Sequence, residues 1–213
     1  AALQRRGVDA TAVDGIPALV AALNAPGGRK FDRVFNILHG NRGGGEDGVL
    51  QGLLEALGVP YTGSGVLGSA LAMDKIRTKQ VWLALGLPTP AYVNLQRGED
   101  VVAAAHKLGL PVIVKPAAED ASVGIDAGSV VTSKRALKKR LAETVEQWDT
   151  VLVQEYVAGR EFNIGFVGDQ VLPIAELCFD NMPEGSWPIL TYAAKWDVGS
   201  PEDLGSVPVC PAN

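Results

Sequence analysis

A chain of 213 residues that is 47% hydrophobic and 20% charged can bury a core and fold into one to three compact units. Its net charge of -5, with no basic stripe carrying interleaved aromatics, argues against nucleic acid as a main partner. Two distant cysteines, Cys178 and Cys210, make no disulfide framework, and no apolar run approaches the ~18–20 residues of a membrane span, so a reduced, cytoplasmic setting is expected.

Taken in chain order, residues 1–7 read as the tail of a helix, 8–13 as a short strand and 16–23 as a helix. The run 33–38 reads as a buried strand ending in His39-Gly40, followed by a glycine-rich loop over 41–48 and a helix over 49–57. A turn at 60–65 leads to a long helix over 66–85 that carries Lys75 and stops at Gly86-Leu-Pro88. Strands and helices alternate this far and beyond, which predicts an α/β fold with parallel pairing. From Ala91 the pattern restarts with a strand over 91–95, a helix over 99–108, strands over 112–115 and near 128–132, and a helix over 133–148. In that last helix Leu137, Leu141, Val145 and Trp148 make an apolar stripe, and Lys134, Arg135, Lys138, Lys139 and Arg140 read as a solvated face. After Asp149 short alternating runs over 151–157, 162–167 and 171–177 predict antiparallel strands. Glu202-Asp203 reads as a solvated turn, and residues 207–213 stop without a closing element, the look of an internal piece of a longer protein.

The familiar nucleotide, kinase and hydrolase motifs are missing: no G-x-x-x-x-G-K-[ST], no strand-borne G-x-G-x-x-G, no G-x-S-x-G elbow, and no metal cluster of usual spacing. What remains is a scattered set. Lys115 ends an apolar strand and is followed by a loop of small residues, Ala117, Ala118, Ala121, Ser122 and Gly124. An ammonium beside a concave run of backbone N–H groups is a way to hold phosphate. Lys75 and Lys195 are two further candidate phosphate lysines. The segment from Val151 to Phe162, a strand leaving through a polar turn into Glu161, can hold a base against strand-end backbone and a ribose against a carboxylate. Each feature alone also fits a surface lysine or a plain strand and turn.

Together the motifs carry a resemblance. Phe35-Asn-Ile-Leu-His-Gly40, Gly44-Gly-Glu-Asp-Gly-Val-Leu-Gln-Gly52, Pro60-Tyr-Thr-Gly-Ser-Gly65, Met73-Asp-Lys75 and Leu110-Pro-Val-Ile-Val-Lys-Pro116 with Ser122-Val-Gly124 closely resemble D-alanine–D-alanine ligases of the ATP-grasp superfamily. The likeness weakens after Pro116 but continues through Gly159-Arg-Glu-Phe162 and Ala194-Lys195 to Cys210-Pro-Ala212. It implies an α/β, ATP-grasp fold: a partial preATP-grasp (Rossmann-like) N-terminal domain over 1–74, a central ATP-grasp domain over 75–158, and the start of a truncated C-terminal domain over 159–213.

It also implies roles. Lys75 and Lys115 match lysines on the ATP phosphates, Ser122 the loop over them, and Lys195 a phosphate lysine on a mobile loop; Ser122 and Lys195 are the residues expected to be catalytic. Gln154, Glu155 and Val157 match the frame around adenine, and Glu161 the ribose carboxylate. His39 matches the histidine near the first D-alanine carboxylate and, with Glu46, is expected to bind substrate. In the family ATP phosphorylates that carboxylate and the amine of the second D-alanine attacks the acyl phosphate, for peptidoglycan precursor synthesis. Two Mg2+ ions are expected, with ligands beyond Asn213, and a homodimer for the full-length protein; the 213 residues alone are expected to turn over no substrate. Ala121 and Trp196 stand where serine and tyrosine are usual, so the usual side-chain latch cannot form. That keeps open a D-alanine–D-lactate or other carboxylate–amine ligase, and also a non-catalytic nucleotide-binding module. His39 and Glu46 disfavour a carboxylase-type subunit.

Overall fold

The computed structural model describes residues 2–26, 31–40, 44–97 and 108–212, and the chain forms two compact units, Ala1–Met73 and Asp74–Asn213. The first unit holds helices α1 (Ala2–Arg5), α2 (Gly15–Asn24), α3 (Val49–Ala56) and α4 (Val66–Met73). Leu50 and Leu54, one turn apart on α3, pack with Leu19 of α2, and Val34, Leu38, Val59 and Tyr61 close around them.

The strand expected over 33–38 shrinks to one parallel bridge, Val34 to Tyr61. Past it Phe35 and Ile37 are 57% and 68% exposed, and Asn36 turns its side chain to the Gly45 carbonyl and the Leu38 N–H. An apolar run with no neighbouring ladder must satisfy its backbone elsewhere, and here an asparagine does part of that. Residues 8–13, also expected as a strand, carry no regular element.

The single helix expected over 66–85 is two. Asp74 has extended backbone, and its carboxylate accepts from the N–H groups of Ile76 and Arg77 at 3.0 Å each. That N-cap opens a new helix, α5 (Lys75–Ala84), because aspartate satisfies the first-turn donors better from outside a helix than within it.

The second unit continues with β1 (Tyr92–Gln96), β2 (Val112–Pro116), β3 (Val130–Val131), α6 (Lys134–Gln147) and β4 (Thr150–Glu155). These strands lie in the order β1-β4-β2-β3, and every pairing is antiparallel, not parallel as expected. Strands β3 and β4 do run the same way around the α6 crossover, but β2 lies between them, so the crossover never makes neighbours. Leu95, Val112, Val114, Val151 and Val153 pack against Leu137 and Leu141 of α6 as the core. The alternate residues Ile113, Lys115 and Gln154 project from the opposite face.

Beyond β4 come β5 (Glu161–Asn163), β6 (Phe166–Val167), β7 (Gln170–Val171), β8 (Ala175–Cys178), α7 (Tyr192–Trp196), α8 (Pro201–Gly205) and β9 (Val207–Val209). Strands β5, β8 and β9 form an antiparallel sheet, and β6 pairs with β7. The C-terminal residues therefore do close on an element, β9. Glu202 and Asp203 are no solvated turn: they open α8, and the Glu202 carboxylate accepts from the buried Thr191 hydroxyl at 2.5 Å. Cys178 and Cys210 are free thiols. The helix expected over 99–108 lies outside the described residues, Leu108 apart. Among the described residues no helix is long and apolar enough to cross a membrane.

Candidate functional site

The face of the four-stranded sheet turned away from α6 forms one wall of a cleft of roughly 530 Å³ in the second unit. Ile113 and Lys115 of β2 and Gln154 and Glu155 at the end of β4 line it, as does the segment 156–160 that leads to Glu161. Opposite them stand Ile189, Leu190 and Lys195. An apolar cluster of Ile113, Val130 and Ile189, joined by Ile125, Tyr156 and Trp187, lies beneath. The Tyr156 and Trp187 rings meet edge to face at 5.0 Å between centroids. The end of β4 is tied from both sides: Glu155 N–H donates to the Ala91 carbonyl at 2.9 Å and Tyr156 N–H to the Pro111 carbonyl at 3.1 Å.

Seven of the residues singled out from the sequence, Lys115, Ser122, Gln154, Glu155, Val157, Glu161 and Lys195, line this cleft. They come from β2, the following loop, β4, the segment after it, β5 and α7, up to 80 positions apart. Lys75 sits at the base of the loop: its N–H donates to the Ala117 carbonyl at 3.1 Å, and its Nζ donates to the Glu119 carbonyl.

The site is built of like charges. Burial, together with the nearby Lys75 and Lys79, lowers the Lys115 pKa to about 8 against the pull of Glu161. Burial also lowers the pKa of Lys75, against the pull of Asp120, Glu119 and Asp74. Glu161 is raised by its removal from water, against the pull of Lys195 and Lys115. Lys115 and Lys195 act on the Glu161 carboxylate, and Lys75 and Lys79 add positive charge beside Lys115, so the site gains by taking up an anion.

The loop between β2 and β3 is held in an unusual shape. Ala121 and Ser122 both have left-handed backbone, φ 52° and 63°. Such conformations cost side-chain-bearing residues energy and persist only where surrounding bonds enforce them. Those bonds are present. Ser122 Oγ donates to the Leu190 carbonyl at 2.7 Å, Tyr192 N–H to the Ile125 carbonyl at 2.9 Å, and Trp196 Nε1 to the Ala121 carbonyl at 2.9 Å. The side-chain latch that Ala121 rules out is thus replaced by a bond to its backbone, which needs only the indole donor. From behind, Arg140 of α6 donates to Asp126, to the Gly124 carbonyl and to Ser129 Oγ at 2.8–3.0 Å. Its side chain is 16% exposed, so it does not belong to the solvated face formed by Lys134, Arg135, Lys138 and Lys139.

Replacing Trp196 with Phe keeps the ring and removes the donor. The expected cost is about 0.5–1.5 kcal/mol, the worth of one hydrogen bond. Hydrogen exchange should show residues 120–125 losing protection while the core of β2 and β4 keeps it; unchanged protection would show that the bond does not hold the loop.

In the first unit His39 and Glu46 face each other, Nδ1 to Oε1 at 3.1 Å, and Glu46 Oε2 accepts from the Gly40 N–H. Gln51 and Asn36 both donate to the Gly45 carbonyl and hold that turn in place. A Cβ on Gly44 would fall 2.5 Å from the Gly40 carbonyl carbon, so the turn requires glycine there.

Two family models match the chain: one described as the D-ala D-ala ligase N-terminus, over residues 13–64, and one described as the D-ala D-ala ligase C-terminus, over residues 81–204. The chain belongs to the D-alanine–D-alanine ligase family. The D-alanine–D-alanine ligase of Xanthomonas axonopodis pv. citri is 52% identical over 198 residues, covering 92% of this chain and 58% of that protein. That of Xylella fastidiosa is 49% identical, covering 91% and 61%. The chain therefore spans about three fifths of the length of these relatives. Among solved structures, the D-alanine–D-alanine ligase from Bacillus anthracis complexed with ATP aligns with a TM-score of 0.61 at 34% identity, covering 69% of this chain and 48% of that one. The VanG D-Ala:D-Ser ligase from Enterococcus faecalis aligns with a TM-score of 0.61 at 33% identity, covering 70% and 44%. The ATP-grasp, α/β fold expected from the motifs is the fold of this family member.

Two side chains that brace the surroundings of the cleft had no motif to announce them. Arg140 was hidden within a basic run, and its inward turn depends on where α6 docks. Lys79 carried a weak signal, its spacing of four from Lys75 on one helix face. Among the described residues no group of three or more His, Cys, Asp or Glu side chains is arranged to hold a metal ion.

Proposed function

We propose that this chain carries the nucleotide site of an ATP-dependent ligase that joins two D-alanines for peptidoglycan precursor synthesis. The observation that carries the reading is the convergence of Lys115, Lys195, Ser122 and Glu161 on one cleft whose floor is apolar and whose rim is the end of β4. ATP supplies a phosphoryl group to a carboxylate oxygen of the first D-alanine; ADP leaves, the amine of the second forms the amide bond, and inorganic phosphate and a proton are released. Lys115, Lys75 and Lys195 are the cations for the phosphates, since phosphoryl transfer asks chiefly for positioning and for charge around the transferring group. Ser122 shapes the loop over them. Gln154, Glu155 and Val157 frame the base, Glu161 takes the ribose, and His39 and Glu46 take the first D-alanine. The described residues offer no ligand set for the two Mg2+ ions of this reading. The family reading also carries a cytoplasmic homodimer.

Phosphate release by the whole protein, measured with a panel of amino and hydroxy acids, tests the reaction. Release that requires D-alanine alone supports the reading. Release that requires D-lactate or D-serine as second acceptor favours the variant ligase suggested by Ala121 and Trp196. Binding of ATP without release for any acceptor points to a nucleotide-binding module.

The electrostatics predict a pH dependence. Phosphate favours the ammonium form of Lys115, whose pKa lies at about 8 without ligand. ATP affinity is therefore full below that pH and falls as pH rises through it, by up to about tenfold per pH unit while one proton is taken up on binding. Lys115→Arg should flatten the profile, since a guanidinium keeps its proton throughout. A flat calorimetric profile for the unaltered protein between pH 7 and 9.5 would remove Lys115 from the phosphates.

A further inference from the structure

Among the described residues, α5 buries one side chain, and it is a lysine: Lys79 is 5% exposed. Its Nζ donates to Thr89 Oγ1 at 2.7 Å and to the Pro90 carbonyl at 3.1 Å, and it stands 5.1 Å from the centroid of the Tyr92 ring. All three of these partners are neutral. An ammonium taken from water costs a great deal unless its donors are satisfied, and neutral partners leave its field uncancelled where a carboxylate would quench it. Cation–π contact with a tyrosine adds attraction without neutralising the charge.

The segment that Lys79 holds belongs to the cleft. Pro90 lines it, the Ala91 carbonyl accepts from Glu155 N–H at 2.9 Å, and Tyr92 opens β1 opposite Gln154. Pulling on the Pro90 carbonyl therefore sets the edge against which residues 154–155 are placed. We propose that Lys79 is a positioning residue of the nucleotide cleft, one that fixes the Pro90 wall against the end of β4 and keeps a positive charge buried beside it. This rests on the reading of the cleft as a nucleotide site. A residue that only filled space would need neither the charge nor the two donors, and an apolar side chain would serve. The charge has a second consequence, because the titratable groups that act on Lys115 are Lys75, Lys79 and Glu161, and Lys79 is one of the two that push its pKa down.

The test uses Lys79→Met, Lys79→Arg and Thr89→Val with two readouts, adenosine affinity by calorimetry and the ligand-free Lys115 titration midpoint by NMR of labelled lysines, assigned with Lys115→Arg. Lys79→Met is expected to weaken adenosine binding about tenfold, the equivalent of one lost positioning bond, and to raise the Lys115 midpoint. Lys79→Arg should restore both. Thr89→Val, which removes an anchor and keeps the charge, should weaken adenosine binding and leave the midpoint in place. If Lys79→Met fails to fold, Thr89→Val and Lys79→Arg still decide: adenosine affinity unchanged in the first, or lost in the second with its midpoint moved, overturns the proposal. Loss of affinity in Lys79→Met with an unmoved midpoint reduces Lys79 to packing and overturns it as well. Unaltered protein that binds neither adenosine nor ATP would instead sink the nucleotide reading, and the midpoint, read without ligand, would then judge the charge of Lys79 by itself.

Discussion

Lys115→Met is expected to weaken ATP binding roughly ten- to a hundredfold. Lys115 follows Ile113 on the cleft side of β2, is half-buried, and lines the cleft just before the loop. A charge-assisted bond from such a lysine to phosphate is worth about 1.5–3 kcal/mol, which converts to that range in affinity. Methionine keeps the length and apolar stem, so the loss isolates the charge. Folding should not suffer, because the buried ammonium is held at a cost in the absence of an anion, and its lowered pKa of about 8 expresses that cost. Calorimetry should show adenosine binding nearly as before, with ATP binding specifically reduced. Lys134→Ala, on the exposed face of α6, should change neither. Equal ATP affinity for Lys115→Met and the unaltered protein would refute the assignment of the cleft.

Gly124→Ala should cause a large loss of stability. Its φ of 75° is left-handed, and an added Cβ would lie 2.6 Å from Pro116 Cγ and 2.8 Å from the Trp148 ring. Neither neighbour is the yielding tip of a long side chain: one is a buried proline at the end of β2, the other a tryptophan ring. Backbone strain of about 1–2 kcal/mol and overpacking of about 1–3 kcal/mol point the same way. A fall of roughly 5–15 °C in the melting temperature is expected for a chain of this size. Gly109→Ala, where nothing lies within 4 Å of the added atom, is the control and should be nearly neutral. Because the same overlap pushes the loop away from Arg140 and shifts Ser122 from the Leu190 carbonyl, nucleotide affinity should fall together with stability. An alanine variant that melts with the unaltered protein would mean that the loop has room the packing does not show.

Much of the site was legible along the chain because it is carried by local motifs. Lys115 at the end of an apolar strand, small residues after it, and Glu161 in the turn after a later strand are each local features of strand and turn chemistry. The helix α6 was legible from the apolar stripe that an amphipathic helix must show. Gly124 announced that a side chain was not wanted there, although not which atoms forbid it.

What the sequence by itself determined, then, is the inventory: which strands end in a lysine, which loops must be small, and which family the motifs belong to. The tertiary structure decided everything that depends on partners far along the chain. Pairing was one such thing, since β2 inserts between β3 and β4 and turns an expected parallel sheet antiparallel. The fate of residues 33–38 was another, because an apolar run becomes a strand only where a neighbour supplies its hydrogen bonds. The break at Asp74 fell inside one expected helix, and a cap of two N–H bonds made it. Arg140 and Lys79 looked like surface charges until packing turned them inward. Trp196 could be read as a missing latch, and only the approach of a carbonyl 75 residues away made it a working one. Local pattern sets what a segment prefers; burial, charge and hydrogen bonding across the fold decide what each side chain meets.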